Sequence, residues 1–161
     1  NMFITVGHVI SKCENPSIRW NGKRIPLINP IVFHNDENDS DSYDIAVYSI
    51  SNANSPLVLS DIAPEKGDVL KSCSWRMLGE EYVECNAVVN GLKDGNYYAA
   101  DTDKQLKPGS SGSPVFLNGE VVGILCAGNY KNVNTPCNSE LPLNLCLFLS
   151  SKVILELLEK N

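Results

Sequence analysis

The nine residues KPGSSGSPV at positions 107–115 are the most informative stretch of the chain, because three serines lie among two glycines directly before an apolar strand. Glycine lets the backbone amides of such a loop turn inward. A serine becomes a useful nucleophile only when a base takes its proton and donors already point at the developing oxyanion. The amides of Gly109 and Ser111 can supply those donors. Loops of this composition are also common as ordinary tight turns, so the stretch needs partners elsewhere in the chain.

The base for such a serine must be a histidine, and the chain has only two, His8 and His34. His8 follows the apolar stretch Phe3–Val6, whereas His34 precedes an acidic polar loop. Asp44 directly precedes the apolar strand Ile45–Tyr48, where a carboxylate on a rigid element can hold an imidazole in one tautomer. Taken singly, an ordinary surface or core role is more common for each residue. Together, in the order His, Asp, Ser, they favour a catalytic triad.

Composition places the chain among globular proteins and excludes several function classes. Its 161 residues are 43% hydrophobic and 20% charged, close to the globular average. The net charge of -6 gives no electrostatic support to nucleic-acid binding. No stretch approaches the roughly 18 unbroken apolar residues of a membrane span. With two histidines, six cysteines and no C-x-x-C pair, the sequence predicts neither a metal site nor a cofactor, and it favours buried free thiols over disulfides.

The apolar pattern has a short period almost everywhere, with Asn-Gly and Asp-Gly turns between the runs, and this predicts an all-β chain. Residues 51–65 show little alternation, so we interpret them as a crossing between two strand-rich halves. We predict an N-terminal half at residues 1–62, a C-terminal half at 63–149 and a C-terminal helix at 150–161. The acidic segment at 35–42 is interpreted as a solvated loop rather than a calcium site.

Three short motifs, in chain order, resemble those of the chymotrypsin-like serine proteases. TVGHV at 5–9 is similar to the histidine motif of that superfamily, DIAV at 44–47 to its aspartate motif and GSSGSP at 109–114 to its nucleophile motif. The resemblance spans nearly the whole chain. It implies two antiparallel β-barrels, with the active site in the cleft between them.

The same resemblance implies a role for each motif residue. Ser111 would be the nucleophile, His8 the general base and then acid, and Asp44 the orienting carboxylate. The amides of Gly109 and Ser111 would form the oxyanion hole. A polypeptide substrate would pair as an extra strand with residues 124–128. The residues that we expect to contact the substrate are Thr102, Gln105, Leu125, Cys126, Ala127 and Gly128.

Departures from the superfamily pattern indicate which members of the superfamily the chain resembles. Secreted animal relatives have a cysteine after the histidine and another four residues before the serine, where this chain has Val9 and Lys107. They also have an aspartate before the nucleophile that receives a newly cut N-terminus, and here that residue is Ser110. These departures resemble the main proteases of positive-strand RNA viruses of nidovirus or astrovirus type. We therefore expect a viral enzyme that cuts its own polyprotein in the host-cell cytoplasm.

Two alternatives stay open from the sequence. The nucleophile motif also resembles that of bacterial glutamyl endopeptidases, and a protease-like fold can serve as a catalytically inactive binding module. Many glutamate- or glutamine-specific relatives carry a pocket histidine where this chain has Leu125, so the residue preferred before the cut stays undetermined. Relatives also have strands before the histidine, whereas here it is residue 8. We therefore expect an incomplete N-terminal barrel with exposed strand edges.

Overall fold

A computed structural model of the chain describes residues 1–35, 43–51, 57–76, 81–93, 96–104, 106, 109–128 and 145–161. The acidic segment at 36–42 lies outside the described residues. In chain order, the elements are β1 (Met2–Thr5), α1 (Gly7–Ser11), β2 (Ser17–Trp20), β3 (Lys23–Pro26), β4 (Val32–Asn35), β5 (Asp44–Ser49), β6 (Val69–Arg76), β7 (Glu81–Lys93), β8 (Tyr97–Thr102), β9 (Pro114–Leu117), β10 (Glu120–Gly128), β11 (Leu145–Ser150) and α2 (Ser151–Glu159). The all-β prediction is confirmed, and so is the C-terminal helix.

The C-terminal half forms a closed barrel of six strands in the order β10, β11, β8, β7, β6, β9. Every pairing around it is antiparallel. Side chains alternate between its core and its surface, as in β7, where Cys85, Ala87 and Val89 are buried and Asn86 and Val88 are exposed. The sheet closes on itself, and this barrel supports the loop that carries the candidate nucleophile.

The N-terminal half is more open. It contains a three-stranded sheet in the order β1, β5, β4 and a separate two-stranded hairpin of β2 and β3, which turns through Asn21-Gly22. Among the described strands, no closed barrel forms here, and the expected incomplete N-terminal barrel is confirmed. A small core of its own packs Leu27, Ala46, Tyr48 and Ile50 together.

The two halves share one apolar cluster, which we call the interface core. It contains Val6, Val32, Ile45 and Val47 from the N-terminal half, Ile124, Cys126 and Leu149 from the barrel, and Ile154 and Leu157 from α2. Strand β5 is buried on both faces, because Ile45 and Val47 point to the interface core while Ala46 and Tyr48 point to the smaller core. This explains its nearly continuous apolar sequence. The domain boundaries stay a prediction.

Helix α2 closes the chain against the interface core. The hydroxyl of Ser150 accepts a hydrogen bond from the Lys152 amide and caps the helix. The hydroxyl of Ser151 donates to the Ser60 carbonyl at 2.6 Å, which ties the helix to the crossing segment. No helix in the described part of the chain is long and apolar enough to span a membrane.

Five of the six cysteines are described, and all five are free thiols: Cys13, Cys73, Cys85, Cys126 and Cys146. Three of them are buried. Burial raises the pKa of Cys146 to about 12 and also raises the pKa of Cys85, so both thiols stay protonated at neutral pH. They act as small apolar side chains of the barrel core rather than as nucleophiles.

Candidate active site

His8 and Asp44 meet because their strands are neighbours. Strand β1 pairs antiparallel with β5, with Thr5 opposite Ala46, so the turn of helix after β1 lies beside the start of β5. One carboxylate oxygen of Asp44 lies 2.6 Å from Nδ1 of the His8 ring. The other accepts the His8 backbone N–H at 2.8 Å. This double contact favours the tautomer with a proton on Nδ1, which leaves the Nε2 lone pair available as a base.

Gly7 allows this arrangement. A Cβ atom at this position would overlap the backbone carbonyl of His34 in β4, so the helix that carries His8 packs directly on a strand. Only glycine permits such a close approach. His34 itself is exposed, and its ring makes an edge-on contact with Tyr43 at 5.6 Å between ring centroids. The structure therefore brings His8, and not His34, onto the Asp44 carboxylate.

The nucleophile loop, residues 109–113, is held by backbone hydrogen bonds to β10. The Gly112 amide donates to the Leu125 carbonyl at 2.7 Å, and the Leu125 amide donates to the Ser113 carbonyl at 2.9 Å. Gly109 and Gly112 have φ of 98° and 84°, which L-residues rarely adopt. Within the described residues, the amides of Gly109 and Ser111 donate to no acceptor. This is the state that an oxyanion hole requires before substrate binds.

One serine of β6, Ser74, contacts the nucleophile loop, and a second, Ser72, contacts the start of β9 directly after it; neither was predicted from the sequence. The Ser74 hydroxyl lies 3.2 Å from the Ser110 hydroxyl, and both side chains are buried. Ser72, two residues earlier on the same face, donates to the Pro114 carbonyl at 2.8 Å. The sequence signal for them is the alternation Ser72-Cys73-Ser74, which places both serines on one face of a strand. If that face is buried, both hydroxyls require hydrogen-bond partners.

Thr5 connects the nucleophile loop to the N-terminal half. A Cβ atom on Gly112 would lie 2.5 Å from Oγ1 of Thr5, so this loop packs against the end of β1, three residues before His8. No hydrogen bond joins the Ser111 hydroxyl to the His8 ring, both residues lying in the described part of the chain. The structure thus brings His8 and Asp44 into contact and places the loop of Ser111 against the strand that leads to His8.

The barrel also contacts the backbone of Asp44. The Asp44 amide donates to the Tyr97 hydroxyl at 2.9 Å, and the Cys126 thiol lies 3.8 Å from the Asp44 carbonyl oxygen, to which it donates. Burial raises the pKa of Tyr97 to about 12. Burial likewise raises the pKa of Cys126, and the nearby Asp44 charge adds to the effect. Both groups are therefore neutral at pH 7 and bind Asp44 as uncharged partners.

The expected substrate-contact residues lie in different environments. Thr102 is buried and donates to the Lys104 carbonyl at 2.8 Å, while Leu125 packs in the barrel core. Ala127 is exposed near the end of β10, and Gln105 lies outside the described residues. Strand β9 pairs with β10 only as far as Ile124, so among the described strands residues 126–128 pair with β11 alone. Their other edge can accept an added strand.

No group of three or more histidine, cysteine, aspartate or glutamate side chains in the described part of the chain is arranged to hold a metal ion.

Comparisons with known proteins identify the family and the fold. The family model of the trypsin-like peptidase domain matches residues 1–124. The structure is similar to the HtrA-type protease AlgW with decapeptide, with a TM-score of 0.72 and 19% identity over 99% of this chain and 47% of that one. It is also similar to a serine endoprotease from Yersinia pestis, with a TM-score of 0.71 and 21% identity over 99% of this chain and 53% of that one. Kallikrein-related peptidase 10 has a TM-score of 0.69 and 17% identity, over 99% of this chain and 83% of its own.

The chain spans about half the length of the first two of these structures. At such identities, the likeness shows the fold. No curated protein matches the sequence.

Proposed function

Because the chain belongs to the family of trypsin-like peptidase domains, we propose that it is a serine endopeptidase with Ser111 as nucleophile, His8 as general base and Asp44 as orienting carboxylate. The observation that carries this proposal is the double contact of Asp44 with the ring and the amide of His8. A carboxylate that only faced water would not contact both the ring and the backbone amide of His8. The contact gives the imidazole the tautomer that a base for Ser111 requires.

In the proposed reaction, the Ser111 hydroxyl oxygen bonds to the scissile carbonyl carbon while Nε2 of His8 takes the hydroxyl proton. The amides of Gly109 and Ser111 donate to the oxyanion that forms. His8 then gives its proton to the leaving amine, the C–N bond breaks and an acyl-enzyme remains. Water gives a proton to Nε2 of His8 and attacks the acyl-enzyme carbonyl carbon. The C–O bond to Ser111 then breaks, the second product leaves and His8 returns the proton to the Ser111 oxygen.

We propose that the substrate is an extended polypeptide that pairs with residues 126–128 of β10. Among the described strands, residues 127 and 128 pair with β11 alone. This supports the proposal, because an added strand would satisfy the backbone groups of their other edge and bring a carbonyl to the nucleophile loop. The AlgW structure is described as carrying a decapeptide, which agrees with a peptide ligand for this fold. The roles of Thr102, Leu125 and Cys126 toward a substrate stay predictions.

The narrower biological role is also a proposal. The free thiols support cleavage of a viral polyprotein in a reducing cytoplasm. The HtrA-type neighbours are bacterial and support a bacterial protease equally well. A peptide library that reads the residue before the cut separates a glutamyl endopeptidase from the other candidates.

The experiment that tests the enzymatic proposal is hydrolysis of casein by the wild-type chain and by Ser111→Ala. We expect cleavage by the wild type and a loss of about four to six orders of magnitude in Ser111→Ala, as for a removed triad nucleophile. Ser113→Ala, in the same loop, is the matched control and is expected to retain activity. Equal hydrolysis by wild type and a folded Ser111→Ala would overturn the assignment, and a folded wild type without hydrolysis would favour the binding module.

A further inference from the structure

Both backbone polar groups of Asp44, its N–H and its carbonyl, make hydrogen bonds with side chains of the barrel. Tyr97, the first residue of β8, accepts the Asp44 N–H at 2.9 Å. Cys126, in β10, has one thiol proton, and two carbonyl oxygens accept it in turn: that of Asp44 at 3.8 Å and that of Ile124 at 3.5 Å. These two residues come from different strands of the barrel and act on opposite ends of the same residue.

The position of Asp44 needs such contacts, because it is the first residue of β5. Its ladder partner is Asn35, the last residue of β4. The interface core beneath it is apolar, and apolar contacts are not directional. Hydrogen bonds to the Asp44 amide and carbonyl therefore supply the orientation that the interface core does not.

This orientation has a chemical consequence. His8 and Asp44 belong to the N-terminal half, whereas the loop of Ser111 belongs to the barrel. A triad divided between two halves works only if the halves hold a fixed relative position, since a displacement of about 1 Å can cost a hundredfold in rate. The Asp44 peptide is the point where the barrel contacts the backbone of the His8–Asp44 pair by hydrogen bonds.

We propose that Tyr97 and Cys126 are positioning residues that fix Asp44, and through it the ring of His8, relative to the nucleophile loop. The proposal rests on the proposed protease function for its effect on rate. Its structural part concerns only the His8–Asp44 pair and is measurable without catalysis. Neither side chain is assigned a contact with the reacting atoms; the Cys126 thiol faces Asp44 and the interface core, although its backbone belongs to the strand that is proposed to pair with the substrate.

Tyr97→Phe removes the hydroxyl that accepts the Asp44 N–H and leaves the ring. The neighbouring Tyr98→Phe is the matched control, because the Tyr98 ring stacks on Phe148 in the barrel core, with 5.4 Å between ring centroids. We expect the rate constant for labelling of Ser111 by a fluorophosphonate probe to fall roughly tenfold in Tyr97→Phe, the factor supplied by one hydrogen bond. Tyr98→Phe is expected to label at the wild-type rate.

A second readout reports on the His8–Asp44 pair directly. The chain has two histidines, so the ring signals of His8 in the NMR spectrum are assigned by comparison with His34→Gln. We expect the Nδ1 proton that bridges His8 and Asp44 to exchange with water at least about tenfold faster in Tyr97→Phe than in wild type or Tyr98→Phe, since a looser carboxylate protects it less. A merely structural role far from the pair would leave this proton unchanged.

Variants of Cys126 provide an independent test, also in case Tyr97→Phe does not fold. Cys126→Ala removes the donor to the Asp44 carbonyl, whereas Cys126→Ser keeps a donor of similar size. We expect Cys126→Ala to label several times more slowly and to lose protection of the His8 Nδ1 proton, and Cys126→Ser to restore both.

The proposal is overturned if Tyr97→Phe matches Tyr98→Phe in both readouts, or if labelling slows while the His8 proton exchanges as in wild type. Equal behaviour of Cys126→Ala and Cys126→Ser would remove Cys126 from it. If wild-type protein is not labelled but the proton exchanges faster in Tyr97→Phe, the protease function fails and the positioning of His8 by Tyr97 stands.

Discussion

The carboxylate of Asp44 binds His8 twice, once at Nδ1 of the ring at 2.6 Å and once at the backbone N–H at 2.8 Å. The second contact fixes the helix that carries His8, and the first fixes its ring. Since Asp44 is in turn bound by the barrel through its own amide and carbonyl, His8, Asp44 and the strand that holds the nucleophile loop form one connected arrangement.

Asp44→Asn tests the first contact. An asparagine amide fits the same space but donates where the carboxylate accepts, so it favours the wrong tautomer of His8 and cannot stabilise the imidazolium. We expect casein hydrolysis to fall by roughly four orders of magnitude at pH 7, as in other triads of this type. Asp61→Asn, at an exposed position, is the control and is expected to hydrolyse casein as fast as wild type. Normal activity of Asp44→Asn would remove Asp44 from the site.

Gly112→Ala tests the packing of the nucleophile loop on β1. The new Cβ would have to fit 2.5 Å from Oγ1 of Thr5, at a φ of 84°. Gly119→Ala has a similar φ of 89° with no heavy atom within 4 Å of the new Cβ, and it isolates the cost of backbone strain. Both variants are expected to lose roughly 1–2 kcal/mol of stability from strain. Only Gly112→Ala is expected to lose activity, by at least about tenfold.

The role of Thr5 in that effect is measured by a second substitution. Adding Thr5→Ala to Gly112→Ala removes the oxygen that the new Cβ meets and is expected to recover part of the labelling rate. Equal loss of activity in Gly112→Ala and Gly119→Ala would show that the loop does not depend on the contact with Thr5.

Ser74 and Ser110 are expected to behave as a coupled pair. Removing either hydroxyl leaves the other buried without this partner, whereas removing both leaves no such group. We therefore expect Ser74→Ala and Ser110→Ala each to lower the free energy of unfolding by about 1–3 kcal/mol, and the double variant to lose less than their sum. Urea unfolding of the four proteins measures the coupling. Additive losses would show that the two hydroxyls do not interact.

Stability is expected to fall at alkaline pH. The folded-state pKa values of Cys146 and Tyr97 are raised to about 12 from ordinary values of 9.0 and 10.0. A raised pKa means that the unfolded chain ionises first, so the stabilisation is complete below about pH 9 and is lost as pH rises toward 12. Thermal melts from pH 7 to 11 measure this decline. Cys146→Ala is expected to flatten it in part, and a melting temperature independent of pH above 9 would contradict the assignment of buried, neutral thiols.

Much of the site followed from local sequence. The strand alternation and the Gly-rich loop before an apolar strand are local signals. The resemblance of three motifs in the order His8, Asp44 and Ser111 implied the pairing of His8 with Asp44, and the structure shows this pairing. The burial of β5 on both faces also has a local sequence signal, because a strand that is covered on both faces has a nearly continuous apolar sequence.

Tyr97 and Ser74, which support Asp44 and the nucleophile loop, could not be predicted from local sequence. Tyr97 lies 53 residues from Asp44 and Ser74 lies 36 residues from Ser110, and their contacts depend on how the barrel closes and on the register of its strands. A shift of one residue would turn each side chain to the opposite face. Thr102, Leu125 and Cys126 illustrate the same difficulty, since position in a motif does not tell whether a side chain faces the cleft or the core.

The most direct test of a serine protease site is the intact mass of the native protein after reaction with a fluorophosphonate probe. The account predicts a single adduct on the wild type and none on Ser111→Ala or on heat-denatured wild type, because only a serine activated by His8 within the folded site attacks the probe. An unlabelled native wild type, or an adduct that persists in Ser111→Ala, would contradict it.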